Sequence, residues 1–426
     1  MKKLALAALA LSFFTAGLKA EINFDNGKAF NLNNEITRLE LSVPAPAVEK
    51  ARPDKEWTIM VFVNAKNNLE RYGLKDMNEM EMVGSGDKYN VVVELARIAG
   101  YDSSEGDWKT SRRYLVQKDN DTNNVTSPVV EELPSVDMGD YKHLVDFVKW
   151  SKARYPAKKY MLVVWNHGAG WIKGADPRTK GISYDDETKN HITTPQLGLA
   201  LKEMGGVDVY GSDACLMQMA EVVYEMKDYV TYIVGSEETE PGDGYTYNDF
   251  LAPVFAKQNM GPAVMAKVAV DAYSDHYEKL DQGSTQSYLR TSALAGLLDA
   301  SNAFAYAITA AGEKDLAKSA MSGAQSYAYP ENKDFYHFAQ LVVAGTRNAE
   351  VKATGEALMT FIKTKLVAHN RTTNGADGGW WSPPSDYSDS HGIAMYLPGK
   401  AAPASYAELA WARYSNWDEF ITWLAQ

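Results

Sequence analysis

"KYMLVVWNHG", residues 159–168, is an apolar run of strand length that ends on asparagine, histidine and glycine. A run without polar alternation reads as a strand buried on both faces, the habit of parallel sheets covered by helices. Upstream, "WTIMVFVNA" (57–65) and "YNVVVELAR" (89–97) read the same way, and "RRYLVQ" (112–117) is a weaker third strand. Downstream come the short "GISYDD" (181–186), then "VDVYGSDA" (207–214) and "YVTYIVGSEE" (229–238). Helical spacing fills the intervals. Leu69, Tyr72, Leu74, Met77 and Met80 share one face, as do Leu144, Phe147 and Val148. "TPQLGLALKEM" (194–204) begins with Thr194 as a plausible cap and Pro195 in the first turn. "CLMQMAEVVYEMKD" (215–228) reads as a further helix. Strands alternating with helices predict an α/β fold, a mostly parallel sheet flanked by helices with right-handed crossovers.

Past about Gln282 the alternation loosens. An alanine-rich stretch (299–327), a Trp/Tyr/Pro-rich segment (379–398) and the helix-like "WDEFITWLA" (417–425) follow. The expected organisation is a core over residues 56–282 and a smaller, mainly helical C-terminal region over 283–426. At the other end, Lys2 and Lys3 precede a short apolar run, and Ala20 offers a cleavage position. Residues 1–20 therefore read as a signal peptide rather than a membrane span, and 21–55 as a polar linker or pro-segment. A secreted or periplasmic protein of bacterial export is the expectation. The net charge of −12 argues against nucleic acid as a partner.

The chain of 426 residues holds one cysteine, Cys215. A lone thiol is either inert packing or a reactive group. In open parallel sheets, functional side chains collect past the carboxyl ends of strands. His167 stands there after 159–165, and Cys215 after 207–213, 48 residues later. A histidine near a thiol can act as its acid and base, and a helix behind Cys215 would lower the thiol pKa. Gly168 lets a substrate backbone approach. His143, His191, His276, His337, His369 and His391 show no metal-ligand spacing, and a single cysteine cannot build a thiolate zinc site.

"LVVWNHGAGW" and "YGSDACLMQMAEV" together resemble the clostripain family of cysteine peptidases, of the caspase–gingipain–legumain fold. "WTIMVFVNAKNNLE", "VDMGDYKHLVDFVKW", "VGSEETEPGDGYTY" and "HGIAMYLP" agree, so the resemblance spans roughly residues 56–426. It implies Cys215 as nucleophile, His167 as its partner, and an oxyanion held by the backbone N–H groups of Gly168 and Cys215. It also implies protein or peptide substrates cut after arginine or lysine. Asp213, two residues before Cys215 on one strand face, is then a receptor for the substrate cation in the S1 pocket, or else a helix N-cap. Asp243 is a second S1 candidate, or a turn residue. Relatives often cut themselves between the two catalytic residues. Here the bonds after Lys180 or Arg178 are the candidates, near Lys173 in the same loop, with light and heavy chains staying associated. The family often carries an acid where this chain has Lys66. No cofactor is required by this chemistry. Some relatives need Ca²⁺, which "YDDE" (184–187) could bind if it is not simply a solvated turn.

Two other readings compete. One is a catalytically silent scaffold binding peptides or glycans through Trp380, Trp381, Trp411, Trp417 and Trp423. The other is a peptidase preferring asparagine or aspartate at P1.

Overall fold

The computed structural model describes residues 55–171, 181–257, 259–376 and 385–426. Strand β1 (Trp57–Ala65) is followed by helix α1 (Glu70–Glu81) and β2 (Tyr89–Arg97). Then come β3 (Ser111–Leu115), β4 (Val129–Leu133), α2 (Tyr141–Arg154) and β5 (Lys159–Trp165). A small hairpin, β6 (Ile182–Asp185) and β7 (Asn190–Ile192), leads to α3 (Thr194–Glu203) and β8 (Val207–Asp213). The four-residue α4 (Ala220–Val223), β9 (Val230–Gly235), α5 (Tyr247–Ala256) and α6 (Pro262–Lys279) complete the predicted core.

The main sheet has the order β12-β10-β9-β8-β5-β1-β2-β3-β4, where β10 is Ser284–Arg290 and β12 is Val367–Thr373; β11 (Asn332–Asp334) pairs separately with β13 (Ala394–Tyr396). The central five strands, β9-β8-β5-β1-β2, are parallel. Antiparallel pairs close both flanks. Alternation along the buried strands divides two cores. Met60, Phe62, Leu162 and Val164 face one cluster with α2 and α3. Ile59, Val61, Val63, Met161 and Val163 face the other with α1, α5 and α6. Each strand thus needs apolar residues at odd and even positions, which is why 159–165 shows no alternation.

The sheet continues past residue 282, so 283–426 does not stand apart from the core. Strands β10 and β12 were hidden by polarity. Ser284, Thr285, Gln286 and Ser287 are buried, and their hydroxyls are satisfied: Ser287 Oγ donates to Gly392 O at 2.7 Å, and Ser284 pairs with Thr373. The remaining described elements of the region are mainly helical. Helices α7 (Leu294–Ala311), α8 (Lys314–Gly323), α9 (Phe335–Gly345), α10 (Ala349–Phe361), α11 (Ala410–Tyr414) and α12 (Trp417–Ala425) pack on the face that carries Leu162 and Val164. Trp411 and Trp417 are fully buried there. They are core residues, not the aromatic surface that a binding scaffold would need. Trp380 and Trp381 lie outside the described residues.

Two local expectations change. The cap of α3 is Thr193, in a reciprocal box with Gln196, one residue before Thr194. More consequentially, no helix begins at Cys215. Leu216 has φ +64, and the next backbone groups bond elsewhere: Leu216 N to Glu238 O, Gln218 N to Ser236 O, and Ala394 N to Gln218 O. Tertiary bonds take the partners that a helix would need, and helix waits until Ala220.

No helix among the described residues is long and apolar enough to cross a membrane. At the β2–β3 edge, fully buried Glu94 bonds Arg113 Nε at 2.7 Å and also holds Ser111 and His143. Removing one partner of a buried ion pair strands the other. Arg113→Leu is expected to destabilise the protein by about 3–5 kcal/mol, read as a lowered urea midpoint with unchanged slope.

Candidate active site

In the parallel β5–β8 register, Trp165 lies opposite Asp213. His167 and Cys215 each stand two residues beyond that pair, so the register alone brings them to the same level of the sheet. The chain divides here: from β1 it runs outward to β2 on one side, then returns to β5, β8 and β9 on the other. This is the switch point at which open α/β sheets form a crevice. A cavity of about 240 Å³ opens there. Its lining includes His167, Cys215, Asp213, Asp76, Glu240 and Asp243.

His167 is half-buried, and its Nε2 pairs with Asn68 Oδ1 at 2.8 Å. Burial holds the imidazole below its ordinary range, against the pull of the Asp186 carboxylate. With an amide oxygen at Nε2, that nitrogen carries the proton and Nδ1 is the basic one. Asn68 sits in the turn between β1 and α1; two asparagines one residue past a buried strand were its only sequence signal. Gly168 is pressed against the Cys215 backbone. A Cβ there would lie 2.4 Å from Cys215 O and 3.1 Å from Cys215 N. Only glycine permits this approach.

Cys215 is half-buried, and Sγ accepts from the Glu240 amide at 3.3 Å. Burial pushes the thiol up to about 12, and the Glu240 carboxylate adds to the effect. The helix dipole expected to oppose this is missing. The resting thiol is therefore protonated at neutral pH.

Asp213 is buried, accepting from Tyr245 N at 3.0 Å and from the Tyr247 hydroxyl at 2.8 Å. With no helix at Cys215, it is not an N-cap. Burial pushes its carboxyl up to about 6. Gly244, at φ +58, would put a Cβ 2.7 Å from Asp213 Oδ1, so the loop closes only around glycine. Asp243 lies at the rim, partly exposed, and pairs with Lys75 at 2.9 Å.

Two cavity acids escaped sequence reasoning. Asp76, on α1, is buried and takes Trp165 Nε1 at 2.6 Å, while its other oxygen is buried without a hydrogen-bond partner. Glu240 reaches in from the loop after β9 and holds Gln286 Nε2 at 3.4 Å. Burial, then the Asp213 charge, raises both carboxyls well above the usual range. Asp76 shares its helix face with apolar residues and gave no recognisable pattern.

The calcium candidate at 184–187 is differently committed. Asp185 and Glu187 both close on the ammonium of Lys66, at 3.0 and 2.5 Å. That pair does not fit a bound cation while Lys66 stands between them. Lys180, Arg178 and Lys173 lie outside the described residues.

The fold is thus a caspase-like α/β sheet, with a cysteine and a histidine lining one cavity at its switch point. The chain belongs to the clostripain family, whose model matches residues 61–421. Clostripain of Hathewaya histolytica is 30% identical over 217 residues, a stretch covering 45% of this chain and 40% of that protein. The match thus spans less than half the length of that curated relative. Solved structures share the fold. A secreted cysteine protease from Bacteroides thetaiotaomicron, bound to an irreversible peptide inhibitor, superposes with a TM-score of 0.66 at 21% identity, over 85% of this chain and 100% of that one. An inactive protease zymogen from Parabacteroides distasonis gives 0.65 at 20%, over 84% and 98%.

The raised cavity carboxyls have a consequence for stability. A carboxyl whose folded pKa is raised favours folding least where the unfolded chain is already ionised, above the ordinary 3.8. Asp76→Asn is neutral in both states and keeps an acceptor for Trp165. It is expected to raise the melting temperature of the unliganded protein at pH 7, with the gain shrinking toward zero below about pH 4.

Proposed function

We propose that the chain is an exported cysteine endopeptidase that cuts after arginine or lysine through Cys215 and His167. The observation carrying this reading is the group of carboxyls, Asp76, Asp213 and Glu240, that lines the cavity beside the thiol. An unpaired buried carboxylate is unfavourable. A substrate guanidinium or ammonium supplies the missing charge, whereas a P1 aspartate would add to the repulsion. A P1 asparagine would leave the charge unmet.

The chemistry follows from the same arrangement. Burial, then the Glu240 charge, keeps the resting thiol protonated. Docking a P1 cation offsets the Glu240 and Asp213 charges, so ionisation of Cys215 becomes easier once substrate is seated. His167 takes the thiol proton as Sγ attacks the scissile carbonyl, and the backbone N–H groups of Gly168 and Cys215 hold the oxyanion. His167 then protonates the departing amine. Water attacks the thioester with His167 as base, releasing the acid and restoring the thiol.

Self-processing after Lys180 or Arg178 belongs to the same proposal. Gly170 and Gly181, which flank that interval, are hydrogen-bonded at 2.8 Å, and β5 and β8 pair on either side. A cut between them would leave light and heavy chains associated through the sheet.

Profiling against a mixed peptide library tests activity and preference together. Cys215→Ala should abolish cleavage and self-processing; retained turnover of arginyl substrates would sink the assignment. Asp213→Asn should lower kcat/KM for P1 arginine by roughly 100-fold, with little effect on P1 alanine. For P1 arginine, kcat/KM should fall as pH drops through about 6, where Asp213 takes up a proton. A flat profile between pH 5 and 7 would count against the cation pocket.

A further inference from the structure

Lys66 follows β1 directly and is almost fully buried. Its Nζ faces four oxygens: Asp185 Oδ2 at 3.0 Å, Glu187 Oε2 at 2.5 Å, Ser135 Oγ at 3.1 Å and Val136 O at 2.6 Å. They come from two other segments, the loop after β4 and the β6–β7 hairpin. The ammonium has three N–H groups and no acceptor, so this is a saturated, cage-like set. Asp185 is itself buried and also accepts from Met138 N, Glu187 N and Thr188 N.

The cage adjoins the candidate dyad. Asp186 N donates to Lys66 O at 2.8 Å. Asn67 Nδ2 donates to Tyr184 O at 2.8 Å. Asn68, one residue further, holds His167. From the hairpin side, Tyr184 N donates to Asn166 at 2.7 Å and Ser183 N to His167 O at 3.3 Å. The turn bearing Asn68 and the strand end bearing His167 are therefore both fastened to the hairpin that Lys66 clamps.

We propose that Lys66 is an internal cation that positions Asn68 and His167, doing from within the chain what a bound divalent ion could do in the same oxygen cage. The inference rests on the reading of His167 as the general base. Without the ammonium, two carboxylates, a hydroxyl and a carbonyl remain, a hard oxygen set of the kind calcium takes. Wild type then needs no divalent ion, and shortening Lys66 converts the cage into a calcium site.

The test compares full-length wild type, Lys66→Met and Lys66→Ser, each in chelator and in millimolar calcium. Wild type is expected to keep its melting temperature, kcat and KM in both media. Lys66→Met should lose at least tenfold in kcat with KM little changed, because P1 binding lies elsewhere. Lys66→Ser should bind one calcium by titration calorimetry, absent in wild type, and recover melting temperature and kcat with it. The proposal is overturned if wild type requires calcium, if Lys66→Met keeps its kcat in chelator, or if Lys66→Ser neither binds calcium nor gains stability from it. Should Lys66→Met not fold, Glu187→Gln at the half-exposed end of the cage decides. It should fold and lower kcat about two- to threefold at constant KM, and an unchanged kcat counts against the clamp. Calorimetry and melting do not depend on peptidase activity. An inactive wild type with an unchanged calcium response would therefore indict the peptidase reading and leave the cage intact.

Discussion

The parallel register that sets Trp165 opposite Asp213 governs the rest of the molecule. It brings two strand ends level, so that His167 and Cys215 line one cavity although 48 residues separate them. It also turns the Trp165 indole toward Asp76 on α1, which ties the helix over the cavity. A parallel sheet needs crossovers and burial on both faces. Helices α1, α5 and α6 on one face, and α2, α3 and the C-terminal helices on the other, supply that burial, leaving the carboxyl edge of the strands as the crevice.

Charge is distributed unevenly around that crevice. On the side of the β6–β7 hairpin, buried carboxylate meets buried ammonium at Lys66 and Asp185, and the backbone there is tightly fastened. On the other side, Asp76, Asp213 and Glu240 face the cavity without a buried cation of their own among the described residues; the rim pair of Asp243 and Lys75 is partly exposed. The first side is rigid because its charges are matched internally. The second is poised for a ligand because its charges are not. Burial, and then the Glu240 charge from this second side, raise the thiol pKa.

The legible parts of the sequence were those in which local pattern and tertiary role coincide. Strands β1, β2, β5 and β8 are apolar throughout because both faces are covered. The positions of His167 and Cys215 follow from where those runs stop. Polar strands β10 and β12 were illegible, because their buried hydroxyls are satisfied by partners about 100 residues away in the chain, such as Gly392 for Ser287. The helix expected at Cys215 failed for a related reason. Its apolar spacing is real, but Leu216 and Gln218 give their backbone bonds to the loop after β9 and to Ala394.

By itself, the sequence determined the α/β class, the two strand ends on which His167 and Cys215 stand, and the family resemblance, because burial period and short motifs are local properties of a chain. Only the tertiary structure decided what surrounds the thiol. Asp76 and Glu240 join Asp213 in one cavity, Asn68 takes the imidazole, Trp411 and Trp417 disappear into the core, and Lys66 meets Asp185. Each of these is a pairing of charge or surface across distant segments, and a pairing has no address in sequence until register and packing bring its two halves together.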